Sequence, residues 1–412
     1  MLGRAGEKEY MVPLLEKRLP RRGARRGGGL ITMRLKGIAL AFLVVLGLSV
    51  FGQAQTFTTL HDFTGGSDGA TPIAGVIQGR SGNLYGTTYG GGRGYGVIYK
   101  VNTTGAETVL YTFCSQTNCM DGANPETPLT RDKKGNLYGT TYYGGSGGFG
   151  TAFKIDTARK GKVLYNFMGS YDDHSCDPLQ GLVMDNAHNL YGTTHGCSVL
   201  YGTIFEIDSA GKFTEIPSDS EYRYPEYGHL TMDKAGNLYG ETSEGGTNAY
   251  GSVYELPHGG KFTELYSFTG GTSDGLMPQG SVVVDETGNL YGTTFQGGSS
   301  NYGTIWKVDS TGTETILHNF AGGTSDGCYP SAGVTLDSDG NLFGVTRYCG
   351  AEDYGALYEL SASGVFILLH SFQHSDGAGP MGEVLRTAKG RLYGTTTTGG
   401  SHNYGTVWSY VP

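Results

Sequence analysis

The chain has 412 residues, 72 of them Gly and only 13 Pro, with 12% aromatic and 16% charged residues. Glycine at this level without a Gly-X-Y period, alongside many Tyr, excludes collagen and low-complexity disorder and favours turn-rich β-structure. Of the 29 Lys and Arg, 10 lie in residues 1–54 with 3 of the 38 Asp and Glu, so residues 55–412 carry a net charge of −16, which repels phosphate backbones and anionic lipid and excludes nucleic acid as an expected partner.

Residues 1–32 are Arg-rich (Arg21, Arg22, Arg25, Arg26) and unpatterned. They read as an unstructured extension ahead of a misassigned start, with Met33 the expected initiator. Residues 33–54 follow the secretory pattern: basic Arg34 and Lys36, an apolar run from Gly37 to Phe51, then small residues at Gly52-Gln53-Ala54. That run is shorter than the ~20 residues a membrane span needs, so no span is expected in the mature chain. The expected location is secreted or extracytoplasmic, at the cell surface or in the periplasm.

From residue 55 onward one motif recurs. It is clearest at Gly288-Asn289-Leu290-Tyr291-Gly292-Thr293-Thr294, followed by Gly297-Gly298 and Tyr302-Gly303-Thr304-Ile305-Trp306-Lys307. Its central pair stands at Tyr85-Gly86, Tyr138-Gly139, Tyr191-Gly192, Tyr239-Gly240, Tyr291-Gly292, Phe343-Gly344 and Tyr393-Gly394, spaced 48 to 53 residues apart. Periods of this size mean propeller blades or solenoid coils. Each unit divides into four short strands: A (Ser281–Val284 in the fifth), B (Asn289–Thr294), C (Tyr302–Val308) and D (Thr313–Phe320). Asp-x-x-Gly joins A to B at Asp132, Asp233, Asp285 and Asp337, and His188 replaces Gly after Asp185. These carboxylates are expected to cap turns rather than catalyse.

The mature chain begins with a D-type strand, Phe57–Phe63, and ends on a C-type strand, Tyr404–Tyr410. Pairing the two completes the last unit and covers exposed edges. The fold expected is an all-β, seven-bladed β-propeller spanning 55–412, with four antiparallel strands per blade and the N-terminal strand closing the ring on the C-terminal blade.

The motif read through Gly82–Lys100 and Gly288–Lys307 resembles the GloVer tandem repeat of secreted bacterial proteins, and the resemblance covers nearly all of 55–412. It implies export and often a C-terminal anchoring signal, which is not seen before Pro412. It implies no established activity.

Six cysteines in an exported chain suggest disulfides. Cys176 and Cys328 each lie 16 residues before a motif Gly, and Cys197 and Cys349 each lie 5 after one. This register predicts Cys176–Cys197 and Cys328–Cys349, each joining a D-to-A connection to a B-to-C loop on one face and worth about 3 kcal/mol. Cys114–Cys119 is expected as a local bridge. A Cys2His site using His174 or His195 is the alternative. Asp-Gly followed by Pro recurs on the same face at Asp68, Asp121, Asp274, Asp326 and Asp376. It reads as an inter-blade turn more readily than a calcium site, since no dense Asp cluster accompanies it. No metal or cofactor is expected.

The third residue after the motif Gly varies while its neighbours hardly change: Tyr89, Tyr142, His195, Ser243, Phe295, Arg347 and Thr397. Variation at one loop-edge position of a repeated scaffold marks candidates for contacting an asymmetric ligand, and Tyr89, Tyr142, His195, Phe295 and Arg347 are the expected ligand-binding residues. Their flat faces and polar edges suit sugars or peptides. The alternative is that they merely cover the blade edge. Gly144-Gly145-Ser146-Gly147-Gly148 fits G-x-S-x-G formally, but it falls in a β–β loop rather than a strand–turn–helix. The first functional reading is a monomeric binding module for an extracellular glycan or envelope component. A glycan-active enzyme with carboxylates at the channel mouth and a structural or adhesive surface protein are the alternatives.

Overall fold

The computed structural model describes residues 55–169, 176–195, 202–216 and 229–412. Seven antiparallel four-stranded blades form a ring, a seven-bladed β-propeller, with no α-helix among the described residues. Blade 5 shows the plan: A is Val283–Val284, B is Leu290–Gly297, C is Thr304–Val308 and D is Glu314–Asn319, paired in that order. In blade 7 the last strand is supplied from the other end of the chain, where Thr56–Asp62 pairs antiparallel with Thr406–Val411.

Strand A is shorter than the expected four residues and keeps only two in every blade, as in Ile77–Gln78 and Leu385–Arg386. The reason is crowding at the hub. The residues just before each A strand press on the backbone of the neighbouring blade, so that a Cβ on Gly280 would stand 2.4 Å from Gly333 N and one on Gly382 2.3 Å from Gly75 N.

The motif glycine is required by packing, not by a turn. Gly292 sits opposite Trp306 across the B–C pair, and a Cβ there would meet the Trp306 ring at 2.4 Å. The same ring-over-glycine contact holds for Gly86 with Tyr99 and for Gly394 with Trp408. Such rings commonly receive a Phe from the end of strand D of the preceding blade, edge-on for Phe113 on Phe153 at 5.0 Å and Phe268 on Trp306 at 5.7 Å. These Phe side chains are wholly buried. The apolar core is accordingly distributed as clusters at the blade junctions, each drawing on two consecutive blades. A buried ring contributes about 2–3 kcal/mol.

The A–B turns are capped as expected. Asp285 accepts the Asn289 backbone N–H at 2.9 Å and its side-chain amide at 2.7 Å. His188 takes the left-handed conformation (φ 69) that glycine adopts in sister blades. The Asp of each Asp-Gly turn likewise serves the turn: Asp274 accepts the Thr269 N–H and the Tyr266 hydroxyl, and Asp376 accepts the Gln373 N–H beside His370. Cys114–Cys119 and Cys328–Cys349 are bonded, the second tying the short ribbon Gly327–Cys328 to Tyr348–Cys349. The expected Cys176–Cys197 pair and the His174 alternative involve Cys197 and His174, which lie outside the described residues.

Candidate binding site in the central channel

One backbone device positions the loops around the axis. Six residues preceding strand A hold φ between 51 and 59: Thr71, Asn124, Asp177, Met277, Tyr329 and Gly379. Each donates its N–H to the carbonyl of an aromatic residue in the preceding blade, as Tyr329 does to Tyr302 at 2.8 Å and Asn124 to Tyr95 at 2.8 Å. Most also accept, on their own carbonyl, the N–H of the varying residue in their own blade. Thr71 receives Tyr89 at 3.0 Å, Asn124 receives Tyr142 at 3.1 Å, Asp177 receives His195 at 3.2 Å and Tyr329 receives Arg347 at 3.2 Å. Tyr89, Tyr142, His195 and Arg347 are therefore held by backbone bonds to the inter-blade connection, and all five predicted residues are half-buried. Ser243, at the same position in blade 4, is buried.

Inside this rim lies a cavity of about 360 Å³, lined from the segments preceding strand A in all seven blades, a size typical of small-molecule sites. Ile73, Glu126, Leu179, Gln279, Ser331 and Met381 occupy one repeated register in its wall, and His229 and Glu383 another. Arg347 is the predicted residue that reaches the cavity itself. Tyr89 and Tyr142 are both within electrostatic reach of Glu126. Phe295 packs on Tyr329 at 5.1 Å, and the Arg347 guanidinium lies 5.2 Å over the Tyr348 ring. His195 stands in blade 3 beside Asp177. Tyr89 and Tyr142 thus stand in blades 1 and 2, each within electrostatic reach of Glu126, and Phe295 and Arg347 stand in blades 5 and 6.

Glu126, Gln279, His229 and Glu383 were missed by sequence reasoning. For Glu126 and Gln279 the signal was available: the residue following the repeated Pro72, Pro125, Pro178, Pro278, Pro330 and Pro380 varies as freely as the rim position.

The wall is polar and poorly compensated. Burial pushes the Glu126 carboxyl up to about 7. Burial lowers the His229 pKa, against the opposing pull of Glu383, and His229 Nδ1 accepts the Gly181 N–H at 3.0 Å, so the ring there is neutral. One Glu383 oxygen is buried with no hydrogen-bond partner in the protein. Behind the wall at Gly280 lies Glu241, fully buried, where the Gly280 backbone N–H is the one donor that counters the burial of its carboxyl. Burial drives its pKa well above the ordinary range, and Glu383 adds to the effect. In five sister blades this position is Thr, and in four of them its hydroxyl donates to a hub carbonyl of the next blade, as Thr293 does to Ala332 at 2.8 Å and Thr140 to Gln180 at 3.0 Å. No three His, Cys, Asp or Glu side chains converge to hold a metal among the described residues.

The family model described as the Gloeobacter/Verrucomicrobia repeat matches residues 48–225 and 224–412. No curated protein matches. Among solved structures, the chain is similar to the extracellular domain of a protein assigned to hybrid two-component systems in B. thetaiotaomicron, at 15% identity and TM-score 0.56, covering 87% of this chain and 41% of that one. It is also similar to the extracellular domain of a protein assigned to one-component systems in the same organism, at 12% identity and TM-score 0.51, over 82% and 38% of the two chains. A third is PorZ, a surface component of the type-IX secretion system of Porphyromonas gingivalis, at 13% identity and TM-score 0.51, over 81% and 46%. The chain spans less than half the length of each, and at these identities the likeness concerns the fold alone. The two repeat matches together cover most of the sequence, and the chain belongs to the Gloeobacter/Verrucomicrobia repeat family.

Proposed function

We propose that this propeller is an extracytoplasmic binding module that takes a saccharide of the cell envelope or its surroundings at the channel mouth. The observation that carries this reading is the axial cavity, walled by Glu126, Gln279, His229 and Glu383 and rimmed by Tyr89, Tyr142, Phe295 and Arg347. Sugar rings present apolar faces that stack on aromatics and hydroxyls that exchange hydrogen bonds with carboxyl and amide groups. The disulfides favour an oxidising compartment, and the described residues contain no helix long and apolar enough to cross a membrane. A monomer suffices, because the site is complete within one chain. A glycan-array screen of the full chain tests the reading. Binding that weakens at least tenfold in Tyr89→Ala or Phe295→Ala supports it, and the absence of any saccharide hit sinks it.

One observation favours a second reading, a glycan-active enzyme. Glu126, pushed up to about 7, has the proton affinity of a general acid working near neutral pH, and His229 and Glu383 share its cavity. Product formation from any bound glycan, abolished by Glu126→Gln, would move the protein into that class.

A further inference from the structure

Outside the cavity, the same face carries a crown of aromatic side chains. Tyr95, Phe149, Tyr250, Tyr302, Tyr354 and Tyr404 each stand two residues before a strand C, just ahead of a glycine. Their carbonyls are the acceptors for the left-handed connection residues described above, and the cavity wall begins two positions further along, as at Asn124 and Glu126 or Tyr329 and Ser331. The crown therefore borders the channel mouth. A backbone carbonyl serves this junction whatever side chain it carries, so the pairing does not explain why the side chain is a ring in every blade.

The rings are laid flat. In blades 2, 4, 5 and 7 the crown residue rests on a left-handed glycine of the loop leaving strand D, at Gly169, Gly270, Gly322 and Gly65. A Cβ on Gly270 would stand 3.4, 3.4 and 3.5 Å from three atoms of the Tyr250 ring, distances too even for an edge-on approach. One on Gly169 or Gly65 would collide with three ring atoms of Phe149 or Tyr404 at once. With one face on backbone, Phe149, Tyr404 and Tyr250 are still 37%, 44% and 47% exposed, so the other face meets solvent. Covering a glycine is not the reason for the ring, because Ser115 and His374 replace that glycine in blades 1 and 6 while Tyr95 and Tyr354 remain. Phe149 shows that the flat face, not a hydroxyl, is the shared feature.

Between blades 5 and 6 the crown runs on into the cavity. Tyr302 packs on Tyr329 at 5.4 Å, Tyr329 on Tyr348 at 6.1 Å, and the cavity-lining Arg347 lies over the Tyr348 ring.

Single flat rings separated by Gly-rich loops do not form the continuous apolar patch that a protein partner buries. They match a ligand that repeats a flat apolar face of its own. Pyranose units with equatorial hydroxyls turn axial C–H bonds to both faces, and β-linkage keeps those faces available along a chain. The net charge of −16 over residues 55–412 repels an anionic polymer.

We infer that the crown grips an uncharged, β-linked polysaccharide, with successive sugar units stacked on Tyr95, Phe149, Tyr250, Tyr302, Tyr354 and Tyr404. The inference rests on the saccharide reading above and extends its ligand from a few units to a polymer. Each ring holds a sugar weakly, and linkage of the units makes every contact after the first intramolecular, so affinity rises with chain length.

The test is affinity electrophoresis of the full-length protein in gels containing hydroxyethyl cellulose, xyloglucan or laminarin, with calorimetric titration of a tetrasaccharide of the same linkage. The polymer is expected to bind about a hundredfold tighter than the tetrasaccharide. Combining Tyr95→Ala, Phe149→Ala, Tyr250→Ala and Tyr404→Ala, all at exposed positions, removes that advantage and leaves tetrasaccharide binding at the channel unchanged. Combining Tyr95→Phe, Tyr250→Phe and Tyr404→Phe keeps it, because the flat faces survive. Polymer affinity that is unchanged in the alanine variant, or lost in the phenylalanine variant, overturns the crown inference and leaves the saccharide reading standing. Polygalacturonate held as tightly as the uncharged glucans also overturns it. Polymer binding without tetrasaccharide binding supports the crown and sinks the channel-mouth reading. Failure of every polymer and tetrasaccharide, or capture of a polyproline peptide in their place, overturns both.

Discussion

Two junctions of the ring, built from the same repeat position, behave in opposite ways. Between blades 5 and 6, Thr293 is buried and gives its hydroxyl proton to the Ala332 carbonyl at the hub. Between blades 4 and 5, Glu241 takes the same place, equally buried, and only the Gly280 backbone N–H counters the burial of its carboxyl. The first junction uses a small neutral donor that satisfies one carbonyl. The second carries an acid whose ionisation burial opposes. The contrast teaches that the repeat tolerates an energetically poor residue where it borders the axial cavity, as expected where function rather than stability selects the side chain.

The most damaging way to erase the contrast is to make the good junction bad. Thr293→Glu should cost about 3–4 kcal/mol at neutral pH, because it buries a carboxyl where the regular hydroxyl bond stood. Chemical denaturation would register this as a lower midpoint with an unchanged slope.

The converse repair is expected to be smaller and opposite in sign. Glu241→Thr should stabilise by about 1–3 kcal/mol at pH 8 by restoring a donor to the hub. Because burial raises the folded-state pKa of Glu241 above its unfolded value, the native state holds its proton more tightly. The penalty is absent below the unfolded pKa and grows as pH rises through and above it. The gain from the repair should therefore shrink towards pH 4, and a pH-independent gain would show that ionisation is not its source.

Thr293→Val sharpens the comparison by removing the hydroxyl without adding charge. It should cost about 1 kcal/mol, the worth of one buried hydrogen bond, at every pH between 5 and 8.

The smallest effect is expected at the cavity wall. Glu126 has its folded pKa raised to about 7 above the unfolded value, so wild-type stability should decline as pH rises from about 4.5 to 7. Glu126→Gln should flatten that slope by about 1 kcal/mol, the partly exposed position being screened by solvent. Thermal melts across this range measure it, and an unchanged slope would mean that Glu126 ionises as freely as it does unfolded.

Much of the fold was legible because it is local and periodic. The Asp285 to Asn289 cap closes over five consecutive residues, and the Cys328–Cys349 bridge joins loops whose register the repeat had already aligned. The same regularity made the rim position conspicuous at Tyr89, Tyr142, His195, Phe295 and Arg347. The acids facing the axis were harder to see. Glu126 and Glu383 differ from their repeat counterparts by single substitutions in a segment that looked like connection, and Glu241 hides in a strand motif that reads Thr-Thr in five blades and Val345-Thr346 in the sixth.

The sequence by itself determined the number of blades, the four strands of each and the strand held back at Thr56–Asp62 to complete the last one, because these follow from spacing and from the alternation of apolar residues along the chain. Only the tertiary structure decided what meets at the axis. Glu126, His229 and Glu383 come from three blades far apart in sequence and share a cavity because the ring turns equivalent registers inward. The pKa shifts of Glu126 and His229 arise from burial in that wall, a property of the assembled hub that no single repeat contains.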